Sequence, residues 1–213
     1  MKILPEKTVE RLSQYRRTLN NYVAEYNKTR IYSHELAALL NITAVQVRRD
    51  IMFIGYSSSQ RKGYNIKDLI QVIGQIIDTQ EALNVAVIGY GNLGKAITTY
   101  FIGNRPKLNL VAAFDIDPKK VGLVVNNVKC YSIERMHEII TNNDVSIAIL
   151  TVPTHAAREM AKALIKTGIK GILNFTTVNL HVPAEIYLEE YDMITSLEKV
   201  AYFVKHKPLK GKG

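Results

Sequence analysis

Asn84-Val85-Ala86-Val87-Ile88-Gly89-Tyr90-Gly91-Asn92-Leu93-Gly94 is the stretch that decides how this chain folds. Its first five residues form a short, nearly continuous apolar run, the pattern of a parallel strand buried on both faces. The Gly-x-Gly-x-x-Gly that follows leads directly into the helical stretch Lys95-Ala96-Ile97-Thr98-Thr99-Tyr100-Phe101. Glycines at this spacing permit a tight turn, close approach of a pyrophosphate and close helix–strand packing, while the helix N-terminus offers N–H donors to phosphate. A second strand, Asn109-Leu110-Val111-Ala112-Ala113-Phe114, ends in Asp115, 21 residues beyond Gly94. An acid at that distance meets the hydroxyls of an adenine ribose. It also repels a 2′-phosphate, so NAD(H) is expected over NADP(H). Asp117 competes for the same role. Lys119-Lys120 read more simply as the solvated first turn of a helix after Pro118 than as a phosphate site.

The alternation continues toward the C-terminus. Ser132 caps a helix carrying Ile133, Met136, Ile139 and Ile140, and Val145–Leu150 is another buried strand. Thr154 opens a helix that stops at Gly168, and Gly171–Phe175 is a further strand. Strands and helices in this order give a Rossmann-type, doubly wound parallel sheet, an α/β fold. Ligands bind such sheets at the carboxyl ends of the strands, so Thr151-Val152-Pro153 and the loop Phe175-Thr176-Thr177-Val178 border the expected crevice. Thr195-Ser196-Leu197-Glu198 has the spacing of a capping box. The helix it opens carries Leu197, Val200, Ala201 and Val204 on one face, which must pack on its own sheet or on a partner subunit.

Upstream of the fingerprint the pattern changes near Gln80-Glu81, dividing the chain into an N-terminal domain, 1–80, and a nucleotide-binding and dimerisation domain, 81–213. Val9, Leu12, Leu19, Tyr22, Val23 and Tyr26 share one stripe of a helix of about five turns. Ile31-Tyr32 reads as a short strand and Ser33 as the N-cap of a helix carrying Leu36, Ala37, Leu39 and Leu40. Thr43 with Gln46 three residues later marks the start of the next helix. Val47, Ile51 and Ala44 face its core, leaving Val45, Gln46, Arg48 and Arg49 outward. This is a helix-turn-helix pattern whose outward residues suit a major groove, because Gln pairs with adenine and Arg with guanine or phosphate. Tyr56–Tyr64 has turn composition with Arg61-Lys62 at its tip, which makes the unit a winged helix. Ile66, Leu69, Ile70, Ile73, Ile76 and Ile77 follow at helical spacing and read as a linker helix packed between the domains.

Charge points the same way. Residues 1–67 hold 12 Lys+Arg against 5 Asp+Glu, whereas the remainder holds 16 against 14, so the chain's formal charge of +9 sits mainly in the N-terminal third. That concentration favours a polyanionic partner. An apolar fraction of 47% with 22% charged residues excludes wholesale disorder. One cysteine, Cys130, leaves no disulfide framework and no Cys-based metal cluster. His34, His137, His181 and His206 show no ligand spacing, so no metal is expected. No apolar run approaches the ~20 residues of a membrane span and the start is no signal peptide, so a cytoplasmic protein is expected.

A Rossmann fold implies nucleotide binding rather than catalysis. Residues 84–213 are consumed by the nucleotide fold, leaving little room for a substrate domain, and no nucleophile–base arrangement is evident. The alternative is a small NAD-dependent oxidoreductase with His155 as acid–base; the simpler reading of His155 is a solvated residue in a helix's first turn. The order of parts, with Thr43-Ala44-Val45-Gln46-Val47-Arg48-Arg49-Asp50, Gly89–Gly94, Thr151-Val152-Pro153 and Gly168-Ile169-Lys170-Gly171-Ile172-Leu173-Asn174-Phe175, closely resembles the Rex family of redox-sensing transcriptional repressors across roughly residues 8–205. The resemblance implies a homodimer that exchanges its C-terminal helix, binds palindromic operator DNA and releases it on binding NADH, with NAD+ competing. It assigns Thr43, Gln46, Arg48 and Arg49 to the reading helix and Arg61 and Lys62 to the wing. Gly89, Tyr90, Gly91, Asn92, Leu93, Gly94, Asp115, Thr151, Val152, Pro153 and Phe175 fall to the cofactor site. Arg17, Tyr100 and Asp192 fall to an interdomain and intersubunit network.

Overall fold

The computed structural model describes residues 3–57, 62–101 and 107–206, and the chain forms two compact units, Met1–Gln80 and Glu81–Gly213. The first contains α1 (Glu6–Tyr26), β1 (Arg30–Ile31), α2 (Ser33–Leu40), α3 (Ala44–Phe53), β2 (Tyr64–Asn65) and α4 (Ile66–Ile77). On α1 the buried stripe is Thr8, Leu12, Tyr15, Leu19 and Tyr22. Val9, Val23 and Tyr26, expected on that stripe, lie at its edge and are exposed. Asn27 closes the helix in the left-handed conformation, its N–H donating to the Val23 carbonyl.

Ser33 is not the cap of α2. Tyr32 occupies that position and its N–H donates to the Glu35 carboxylate (2.7 Å), so the glutamate in the first turn supplies the acceptor and Ser33 becomes the first helical residue. Thr43 does cap α3, its Oγ1 accepting the Gln46 N–H at 3.1 Å. β1 and β2 pair antiparallel, Arg30 with Asn65 and Ile31 with Tyr64, which ties the strand ahead of α2 to the strand ahead of α4. Arg61, expected at the wing tip, lies outside the described residues. Ile66, Leu69 and Ile73 of α4 are buried with Leu12, Tyr15, Leu19 and Ile51. The expected linker helix therefore gives its apolar face to the core of the N-terminal unit.

The second unit contains β3 (Leu83–Ile88), α5 (Asn92–Phe101), β4 (Leu108–Asp115), β5 (Val124–Val125), β6 (Val128–Ser132), α6 (Met136–Asn142), β7 (Val145–Leu150), α7 (Ala157–Lys166), β8 (Gly171–Asn174), β9 (Tyr187–Glu190) and α8 (Met193–His206). Its seven-stranded sheet has the order β5-β6-β4-β3-β7-β8-β9. Only β5 with β6 is antiparallel. Successive residues of the central strands bury opposite faces. Ala86, Ile88, Ala148 and Leu150 pack under α6 and α7, and Val85, Val87 and Ile149 pack with Ile97 of α5. Helices lie against both faces of these central strands, hence the unbroken apolar runs in the sequence.

β4 and β7 flank β3 on opposite sides, so the chain winds away from β3 in both directions. That reversal opens a crevice at the carboxyl ends of β3 and β7. Residues 118–122 form a turn, not the helix expected after Pro118, with the Lys120 N–H donating to the Asp117 carbonyl at 2.9 Å. α8 begins before the expected Thr195 cap, because Asp192 takes the capping role.

Candidate functional site

β3 delivers the glycine turn to the crevice. Gly89 has φ +95, and a Cβ there would stand 2.8 Å from the Thr151 carbonyl oxygen. A Cβ on Gly94 would collide with the Gly89 carbonyl oxygen, so α5 can start close beneath the strand only with glycine at this position. The Cβ direction of Gly91 meets nothing within 4 Å, leaving the backbone open to a group arriving from the crevice. Thr151 Oγ1 donates to the Gly89 carbonyl at 2.7 Å and fixes the end of β7 against the turn. The resulting cavity of about 600 Å³ is lined by Gly89, Gly91, Asn92, Leu93, Asp115, Asp117, Lys120, Thr151, Val152, Pro153 and His155 among others. A cleft of this size beside a helix N-terminus, with an acid at one side, suits the adenosine and pyrophosphate half of a dinucleotide.

Asp115 ends β4 and is 6% exposed. Its Oδ2 accepts from the Tyr90 N–H (2.8 Å) and the Lys120 ammonium (2.9 Å), and its Oδ1 accepts from the Asp117 N–H (2.9 Å). Burial alone would raise its pKa. Lys120 and the two backbone donors outweigh that and hold it below the usual carboxylate range. The Asp115 contact in turn raises the pKa of Lys120. Lys120 thus stands in the crevice wall and not in solvent. The sequence carried one usable signal, a cation placed five residues after the acid that ends β4.

The remaining expected cofactor residues divide. The Tyr90 side chain is fully buried under α5, so this residue serves the crevice through its backbone. Phe175 is not among the residues lining this cavity; its ring packs on Tyr191 with centroids 5.2 Å apart. Asn174, part of the Gly168–Phe175 motif but not assigned to the site by its sequence, is fully buried and shapes the Phe175–Val178 loop. Its amide nitrogen donates to the Val178 carbonyl (2.8 Å), while its oxygen accepts from the Thr176 N–H (3.0 Å) and hydroxyl (2.7 Å). An asparagine closing the apolar run Ile172-Leu173 at a strand's carboxyl end is the sign the sequence offers.

In the N-terminal unit α3 presents Val45, Arg48, Arg49 and Met52 outward, all exposed. Arg48 Nη1 donates to Ser33 Oγ at 3.2 Å, so this guanidinium leans across to the start of α2 while Arg49 stays on the outward face. The Gln46 amide donates to Asp50 Oδ1 at 2.9 Å, half-buried and not fully outward as its spacing suggested. Asp50 itself is 3% exposed and also accepts from Arg11 Nε (2.6 Å), Arg11 Nη2 (2.9 Å) and the Tyr15 hydroxyl (2.7 Å). Burial works against its charge, yet these donors lower its pKa. The ion pair fastens α3 to α1 from beneath. Lys62 is exposed and its carbonyl accepts from Arg30 Nη1 (3.3 Å).

Of the three network positions, Arg17 is exposed on α1 and Tyr100 is 69% exposed on α5. Asp192 caps α8, accepting from the N–H groups of Ile194 (2.8 Å) and Thr195 (3.1 Å). The neighbouring Arg16 is engaged with both carboxylate oxygens of Asp78 at the end of α4 (2.6 and 2.8 Å).

Two family profiles match the chain, one described as a putative DNA-binding protein N-terminus over residues 3–51 and one as a CoA binding domain over residues 80–178. The redox-sensing transcriptional repressor Rex of Shouchella clausii is 38% identical over 206 residues, covering 97% of both chains. That of Bacillus licheniformis is 36% identical over 209 residues, covering 98% of this chain and 97% of its own. This chain belongs to the Rex family. Among solved structures, the Rex-family repressor RSP superposes with a TM-score of 0.86 at 32% identity over 96% of each chain. RSP in complex with beta-NAD+ and operator DNA also gives 0.86, at 33% identity, covering 96% of this chain and 94% of that one. RSP with beta-NADH gives 0.84. Rex proteins are named as transcriptional repressors, which decides between the regulator reading and the His155 oxidoreductase. Among the described residues no group of His, Cys, Asp and Glu could hold a metal ion, and no helix is long and apolar enough to cross a membrane.

Proposed function

We propose that this Rex protein is a homodimeric, cytoplasmic repressor that holds a palindromic operator through paired α3 helices and lets go when NADH occupies the crevice, with NAD+ competing for it. The observation that carries the reading is that one chain joins a glycine turn and ribose acid opening on a cavity to a separate unit whose helix α3 displays Arg48 and Arg49. RSP was solved with the same three ligands. Gly89, Gly91, Gly94 and Asp115 hold the adenosine half, with Asn92 and Leu93 at the start of α5. Thr43, Gln46, Arg48 and Arg49 contact DNA from α3, and Arg61 and Lys62 from the wing. Arg17, Tyr100 and Asp192 link domains and subunits.

Every residue of α8 is exposed, including Ile194, Leu197, Val200, Phe203 and Val204. The same unit carries an apolar groove lined by Val85, Phe101, Leu108, Ile147, Ile149 and Leu173. α8 of a second copy is its occupant, which would cover apolar residues of α8 that are exposed in the protomer. NADH can release DNA only by favouring the arrangement that binds DNA poorly, and operator DNA must then weaken NADH binding by the same factor. A neutral reduced nicotinamide is easier to bury than the cationic oxidised one, which gives the sensor its direction. A gel shift with a palindromic duplex, with and without NADH, is the test. Release by NADH and retention with NAD+ support the reading; undiminished binding at saturating NADH overturns it.

A further inference from the structure

We infer that Lys120 reads the adenosine ribose directly, so that Asp115 and Lys120 act as one acceptor–donor pair on its two hydroxyls. The inference rests on the crevice holding NAD(H), as proposed above. A carboxylate offers roughly four lone-pair positions. Three are already filled: one on Oδ1 by the Asp117 N–H, and two on Oδ2 by the Tyr90 N–H and the Lys120 ammonium. A vicinal diol brings two O–H groups, and Asp115 can accept from only one of them. The second hydroxyl must find another partner or dislodge Lys120.

Dislodging it is unfavourable, because the pair sits at 2.9 Å and the Asp115 side chain is only 7% exposed. Lys120 points one proton at Asp115 and keeps others for the crevice it lines. It therefore donates to the second hydroxyl while the pair stays closed. The same cation stands where a 2′-phosphate would arrive, opposing the repulsion from Asp115 and Asp117. Lys120 accordingly keeps NADPH from being rejected as strongly as the acids alone would reject it.

The test titrates full-length wild type, Lys120→Met, Lys120→Arg, Lys119→Met and Asp117→Asn with NADH and with NADPH. Lys120→Met should weaken NADH by about tenfold or more, the worth of a hydrogen bond from a charged donor. It should weaken NADPH further, so that the preference for NADH widens. Lys120→Arg keeps the charge and should retain most NADH affinity together with the original NADH:NADPH ratio. Lys119→Met, a change at the exposed neighbouring cation that does not line the crevice, should leave NADH within about twofold of wild type. The inference is overturned if Lys120→Met binds NADH as tightly as wild type or tighter, which is what freeing a blocked Asp115 would produce. It is equally overturned if the loss appears in Asp117→Asn, since Asp117 would then hold the second hydroxyl. Failure of the wild type itself to bind NADH refutes the assignment of the crevice instead.

Discussion

Replacing Asp50 by alanine removes the acceptor that fastens α3 to α1. Four hydrogen bonds end on this carboxylate, two from Arg11 and one each from Tyr15 and Gln46. Deleting one partner of a buried ion pair costs about 3–5 kcal/mol, because the other charge is left without compensation. The Arg11 side chain is 22% exposed and can turn toward water, so its share falls toward the lower end. Tyr15 is fully buried, and its stranded hydroxyl adds about 1–3 kcal/mol. Because these contributions overlap, the expected loss is about 3–4 kcal/mol from the N-terminal unit. Chemical denaturation followed by far-UV circular dichroism reads that loss, and a duplex titration reads the accompanying fall in DNA affinity, while NADH affinity stays unchanged. The charged form of Asp50 is favoured by folding, so its contribution is complete above the normal aspartate range and is lost as pH falls through the lowered folded pKa. A denaturation shift below about 0.5 kcal/mol, the size of an ordinary surface change, would refute the reasoning. In Arg11→Ala/Asp50→Ala the combined loss should be clearly smaller than the sum of the single losses.

Three further outcomes follow from the second unit. Gly94→Ala drives a methyl group into the Gly89 carbonyl oxygen, and a melt should show destabilisation of about 1–3 kcal/mol together with loss of NADH binding. The Tyr90 hydroxyl is buried beside the Thr98 hydroxyl, which already donates to the Gly94 carbonyl, and makes no well-formed hydrogen bond of its own among the described residues. Tyr90→Phe should therefore leave the stability read from a melt within about 1 kcal/mol of wild type or raise it. The thiol of Cys130 is buried beneath α5 and its pKa is pushed up to about 11, mainly by burial, so it stays protonated at lower pH. A thiol-specific reagent at pH 8 should therefore leave the native protein unlabelled and react once it is unfolded; rapid native labelling is the contrary result.

What could be read from the sequence followed the range of each interaction. The glycine turn, Asp115 at the end of β4, the Thr43 cap and the buried strands β3, β4 and β7 are local patterns, and each has one low-energy solution. β5 and β6 escaped because each is short; their signal was Asn126-Asn127, both at positive φ (52° and 65°), the backbone a two-residue hairpin requires. β9 escaped because its residues 187–190 are mostly exposed at the sheet edge and lack an apolar rhythm. Lys120, Asn174 and the Arg11–Asp50 pair left only weak signs, for another reason. A charged or polar side chain reads as solvated until the fold brings its partner beside it, and Arg11 and Asp50 are 39 positions apart. Gln46 shows the converse: its helix position pointed to DNA alone, yet its amide also serves Asp50.

On the homodimer proposed above, the exposed side of α8 would tie this regulator to its own abundance. A helix whose apolar residues stay exposed in its own protomer would leave that protomer sticky until a second copy arrives. Dimer formation by such a helix is second order in protomer, so halving the dose lowers the pool of operator-competent molecules by more than half wherever protomers predominate. Gene dosage would then set the threshold of the redox response as firmly as dinucleotide affinity does.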